Sequence, residues 1–168
     1  MIKGILFDWH GVLVENDSCD ENRRKELYSK LLQNTATESE IIEAVKSFKK
    51  YEKLWSILPT LKKNFKMCVV NNGPKATYEY WDKYYNYSTF MDFINSEMVG
   101  VEKPNAEIYL IACEKLRVKP HEVIYMDDNY GFPEETEKLG MKFIHWNTLD
   151  DGFEAFKQYL NEHTDIKI

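Results

Sequence analysis

Apolar residues along this chain follow two rhythms. Short, nearly unbroken runs at 2–7, 67–70, 123–126 and 143–146 end in polar or turn-forming residues, as strands buried on both faces do. The first run is interrupted only by Lys3 and Gly4. Between the runs the apolar positions recur at helical spacing. Leu27, Leu31 and Leu32 do so among the charges of 20–33, and Ile41, Ile42, Val45 and Phe48 do so after Thr37. Thr37 with Glu40 three residues on is a capping box. A helical piece over 52–64 is expected to place Pro59 at the start of its main part, and Pro104 to open a helix running to 116 with Ile108, Tyr109, Ala112 and Leu116 on one face. A Tyr- and Trp-rich helix follows Pro74, with a short piece at 91–94. A helix at 134–139 is closed by Gly140, and an amphipathic one covers 152–160.

This alternation, without internal repeats, predicts an α/β fold: three-layer, Rossmann-like, with a mostly parallel sheet. Right-handed crossovers then gather the strand C-termini along one edge, where ligands of open α/β sheets bind. Three of those ends are polar: Asp8, Asn71 with Asn72, and Asp127 with Asp128. The two helices between 20 and 50 exceed what one crossover needs and are expected to cover that edge. The chain is read as one domain, 1–168, with a small helical cap insert at about 15–50.

Composition narrows the partners. A formal net charge of −6 disfavours nucleic acid. Lys49, Lys50, Lys53, Lys62, Lys63 and Lys66 read as a solvated helix face. No leader pattern and no long apolar run suggests a membrane. Cys19, Cys68 and Cys113 lack metal-site spacing, with the last two expected in the core, which together implies a reduced, cytoplasmic protein. His121, His145 and His163 read as surface or structural, and Tyr78 to Tyr87 as helix packing and rim. An oligomer or protein partner stays open. Arg23 or Arg24 would meet an anionic substrate group if its helix covers the crevice.

Gathered at one edge, Asp8, Asp127, Asp128 and Lys103 would make a site for an anionic substrate accompanied by a hard cation, with carboxylates suiting Mg²⁺. The sequence Phe7-Asp8-Trp9-His10-Gly11-Val12-Leu13 resembles the nucleophile motif of the haloacid dehalogenase superfamily, usually Asp-x-Asp-Gly in its phosphatases. Val70-Asn71-Asn72-Gly73 resembles its second motif, Gly100-Val101-Glu102-Lys103-Pro104 its third, and Met126-Asp127-Asp128-Asn129 its fourth. The resemblance implies a hydrolase, with a Mg²⁺-dependent phosphatase favoured, acting on a small phosphorylated metabolite through an aspartyl-phosphate. Asp8 would be nucleophile and metal ligand, with Asp128, neighbouring Asp127 and the His10 carbonyl completing the metal site. Asn71 would bind the phosphoryl group, Lys103 would steady nucleophile and phosphate, Trp9 would face substrate, and Asn72 would be structural or substrate-facing. Three positions depart from the pattern. His10 replaces the acid/base carboxylate, as a substitute or as a plug. Asn71 replaces a hydroxyl, and Phe132 a polar residue that helps hold Lys or metal. The alternatives are an inactive binding or scaffold protein and, behind it, a C–halogen hydrolase.

Overall fold

A computed structural model describes residues 1–17 and 20–168; Cys19 lies outside the described residues. Five parallel strands form the sheet: β1 (Gly4–Phe7), β4 (Lys66–Asn71), β5 (Asp92–Asn95), β6 (Val123–Asp127) and β7 (Lys142–His145), in the order β5-β4-β1-β6-β7. Phe7 pairs with Val69 on one side and Met126 on the other, so the next residues, Asp8, Val70 and Asp127, stand level.

Side-chain alternation splits the core into two layers. Ile5, Phe7, Met67, Val69, Ile124 and Met126 face α3 (Glu52–Asn64), α4 (Tyr78–Tyr85) and α8 (Leu149–His163). Leu6, Cys68, Val70, Val123 and Tyr125 face α6 (Ala106–Leu116). All four face residues expected on α6 are buried, and Cys68 and Cys113 are core residues. The short helices α5 (Ser96–Val99) and α7 (Pro133–Lys138) complete the edge, with Gly140 at φ +82° just past α7.

After β1 the chain forms a feature the hydrophobic pattern did not reveal, an antiparallel hairpin of β2 (Val14–Asn16) and β3 (Phe48–Lys50). Between its strands lie α1 (Glu21–Leu32), capped by Asp20, and α2 (Glu38–Lys46), opened by the Thr37–Glu40 capping box. They pack on each other through Leu27, Leu31 and Ala44. The Tyr85 hydroxyl of α4 shares its one proton between the carbonyls of Val45 in α2 (2.8 Å) and Phe48 in β3 (2.7 Å).

Tertiary packing moved several boundaries. Phe48, Lys49 and Lys50 belong to β3 rather than to a helix, because pairing with β2 claims their backbone; Lys53, Lys62 and Lys63 do lie on α3. Pro59 sits inside α3, where burial of Leu54, Trp55, Leu58 and Leu61 outweighs a penalty of about 3 kcal/mol. Helix α6 starts after Pro104, since the Asn105 side chain accepts from the Glu107 amide and makes the stronger cap. Helix α8 starts earlier than expected, at Leu149, capped by Thr148.

Candidate active site

Asp8 leaves β1 between the ends of β4 and β6, its amide donating to the Met126 carbonyl at 2.8 Å. Its Oδ1 accepts from the Trp9 amide (2.7 Å) and from Lys103 Nζ (2.8 Å). Its Oδ2 has no hydrogen-bond partner among the described residues. Gly11 then turns the chain at φ +80°, and a Cβ there would overlap Asp128 Oδ2. The backbone of this loop is therefore pressed against the carboxylate beside it.

Lys103 is buried and bridges the strand ends. Its Nζ donates to Asp8 Oδ1 and to Asp127 Oδ2, each at 2.8 Å. The Asn72 amide clamps its backbone, accepting from Lys103 N at 2.8 Å and donating to Lys103 O at 3.0 Å. Asn72 thus positions Lys103, the structural role expected of it, while it also borders the cavity beside this centre. The Lys103 ammonium also stands 5.2 Å from the centre of the Phe132 ring. That aromatic was expected to lose a polar contact, yet its ring face offers the cation an electrostatic one.

Asp127 is fully buried, with Oδ1 accepting from the Asn129 amide (2.8 Å) and Oδ2 from Lys103 and the Tyr125 hydroxyl. Asp128 is exposed, its carbonyl held by His145 Nε2 at 2.9 Å. A carbonyl only accepts, so this ring nitrogen carries the proton, and His145 has the structural role expected of it. One oxygen from each of Asp8, Asp127 and Asp128 lies within 4.8 Å of the other two. Against three carboxylates stands one ammonium. Burial pushes the Asp8 carboxyl up to about 7; Lys103 opposes the shift, while Asp127 and Asp128 add to it. Burial first, then Asp127, raises Asp128 as well. Three hard carboxylate donors around one ammonium, with Asp8 and Asp128 both pushed toward their protonated forms, fit a divalent hard cation.

His10 and Trp9 differ from expectation. The Trp9 side chain is fully buried against Trp55, Trp81, Tyr85, Tyr87 and Phe93, so it is core and cannot face substrate; only its amide reaches the site. The indole points this way because β1 alternation carries it into the layer under α3 and α4. His10 packs on Phe48 and Trp81, with ring centres at 4.5 and 5.6 Å. Its Nε2 is buried without a hydrogen-bond partner among the described residues. Burial, then the charge of Lys103, lowers its pKa to about 4, so the ring is neutral at pH 7.

Beside this centre opens a cavity of about 410 Å³, reached by His10, Asn71 and Asn72 from the sheet edge and by Arg24, Leu27, Tyr28 and Leu31 from α1. Asn71 ends β4, buried, with its Nδ2 2.6 Å from where a Gly73 Cβ would stand. Arg23 is turned away, held by Glu43 at 2.8 and 2.7 Å, so Arg24 is the α1 arginine that reaches the cavity.

Two supporting residues went unread in the sequence: Tyr125, and Ser96, whose hydroxyl accepts from the Gly73 amide at 3.1 Å. Tyr125 was within reach, since a residue two before Asp127 on a strand shares its face. Ser96 opens α5 just beyond β5 and carries no local signal.

Comparison with known proteins bears on the family and the fold. A family model described as haloacid dehalogenase-like hydrolase matches residues 16–131. The glyceraldehyde 3-phosphate phosphatase of Methanopyrus kandleri is 34% identical over 79 residues, which is 43% of this chain and 33% of that protein. The match thus spans about a third of the relative's length. A predicted HAD-like family hydrolase from Porphyromonas gingivalis superimposes with a TM-score of 0.75 at 18% identity, covering 97% of this chain and 100% of its own. A HAD family enzyme from Bacteroides thetaiotaomicron, solved with magnesium and inorganic phosphate, gives 0.66 at 18% identity over 86% of this chain and 94% of its own. With the family model covering more than half of its length, the chain belongs to the haloacid dehalogenase-like hydrolases.

Proposed function

We propose that the protein is a slow, Mg²⁺-dependent phosphatase of small phosphomonoesters, with Asp8 as nucleophile. The observation that carries this reading is the meeting of Asp8, Asp127 and Asp128 around Lys103, with one Asp8 oxygen unengaged. Asp8, Asp128 and the His10 carbonyl, with Asp127 beside them, would hold the cation, which supplies positive charge against carboxylates and phosphate. Asp8 Oδ2 attacks phosphorus, the bond from phosphorus to the ester oxygen breaks, and an acyl phosphate forms on Asp8. Water then attacks the phosphorus, releasing phosphate and restoring the carboxylate. Lys103 holds Asp8 in place, the free amide of Asn71 binds the phosphoryl oxygens, and α1 with α2 serves as the cap.

His10 accounts for the slowness. Held neutral by burial, it can take a proton from the attacking water but has none to give the departing alkoxide. The environment that strips a proton from imidazole would keep one on a carboxyl, so His10→Asp supplies the missing acid. Turnover of an aryl phosphate by wild type, Asp8→Asn and His10→Asp tests this. Asp8→Asn is expected to fall to background and His10→Asp to gain at least tenfold, a barrier lower by about 1.4 kcal/mol. Background turnover by all three proteins overturns the phosphatase reading in favour of a binding role.

A further inference from the structure

The cavity beside the catalytic centre has a lining that selects among phosphomonoesters. On the sheet side the rings of His10, Phe48 and Trp81 form a corner, with centres 4.5, 5.6 and 5.8 Å apart pairwise. Opposite stand Leu27 and Leu31 of α1, both buried, with Ala44 of α2. Asn71, which ends β4 one residue beyond the level of Asp8, also lines this slot. The space of about 410 Å³ is at the small end of ligand pockets.

Resting on the phosphatase reading, we propose that this slot receives an aromatic leaving group, making the substrate a small aryl phosphomonoester rather than a sugar or polyol phosphate. An aromatic ring sets its faces and edges against the three-ring corner and its outer face against the leucines, and loses no hydrogen bonds on entering. A polyol in the same place would set most of its hydroxyls against carbon, because Asn16, Arg24, Ser47 and Asn72 supply only a minor polar part of a mainly apolar lining.

Binding can be measured without turnover, by calorimetry with non-hydrolysable phosphonates in the presence of Mg²⁺. Naphthylmethyl phosphonate is expected to bind at least tenfold more tightly than methylphosphonate, and a polyol phosphonate no more tightly than methylphosphonate. Ala44→Leu, which fills the slot from α2, should cut the aryl advantage to below threefold. Tyr28→Ala, at a half-exposed wall position on α1, serves as a second variant if the first melts early, and should also reduce the advantage. Methylphosphonate binding with no aryl preference, or a preference that neither variant changes, overturns this inference and leaves the phosphatase reading standing. No binding of any phosphonate, together with no turnover of acetyl phosphate, overturns both.

Discussion

At position 11 the backbone takes φ +80° and a Cβ would enter the space of Asp128 Oδ2. Glycine is required there twice over, for its dihedral and for its lack of volume. Gly11→Ala is expected to displace the loop that carries the His10 carbonyl and to push Asp128 outward, weakening Mg²⁺ binding at least tenfold in calorimetry. Unchanged affinity would detach this loop from the metal site. The same residue-scale reasoning separates the carboxylates. Asp127 spends both oxygens on Lys103, Tyr125 and the Asn129 amide, whereas Asp8 keeps one oxygen in reserve and Asp128 remains exposed.

Among the elements, the helix pair within the hairpin is the piece most dependent on local chemistry. Its own core is small, Leu27, Leu31 and Ala44, so capping and polar links contribute a larger share of its order. In the capping box the Thr37 side chain accepts from the Glu40 amide and Glu40 Oε2 accepts from the Thr37 amide at 2.9 Å, while Lys30 of α1 pairs with Glu40 Oε1. Thr37→Ala removes the cap and is expected to cost about 1 kcal/mol. Hydrogen exchange should show α2 opening more readily, with β1, β4 and β6 protected as before. Equal loss of protection in the central strands would mean that α1 and α2 unfold only with the whole sheet.

At the scale of the whole molecule, charge at the sheet edge couples stability to pH and to metal. Without a cation the folded chain keeps a proton on Asp8 up to about pH 7, whereas the unfolded chain releases it near 3.8. The folded state binds more protons across that window, so this carboxyl's contribution to stability is lost as pH rises through 7. His10 works in the opposite sense: its folded pKa of about 4 lies below 6.5, and stability is lost as pH falls between them. The two windows overlap, so the bare melting temperature changes little through mildly acid pH. The increment from Mg²⁺ is the cleaner reading. A cation must displace the Asp8 proton in acid and need not do so above 7, so millimolar Mg²⁺ should raise the melting temperature more at mildly alkaline than at mildly acid pH. An increment independent of pH would mean that Asp8 takes no part in binding the ion. Asp128→Ala should lose the increment at both.

The order of strands and helices, the polar strand ends and the Thr37–Glu40 cap were legible in the sequence, because each depends on periodicity or on residues within a few positions of one another. The meeting of Asp8, Asn71, Lys103 and Asp128 was legible through parallel-strand geometry, which fixes an edge without fixing a rotamer. Orientation was not legible. Trp9 follows a functional residue directly, yet strand alternation turns its indole into the core. Asn72 reads as structural or substrate-facing, and only the fold shows its amide holding the backbone of Lys103, thirty-one positions away. The β2–β3 hairpin escaped because two three-residue strands separated by two helices carry no usable alternation. The state of His10 belongs wholly to tertiary structure. The sequence supplied an imidazole two residues after a carboxylate, and only burial between Phe48 and Trp81 near Lys103 decided that it stands there neutral at pH 7.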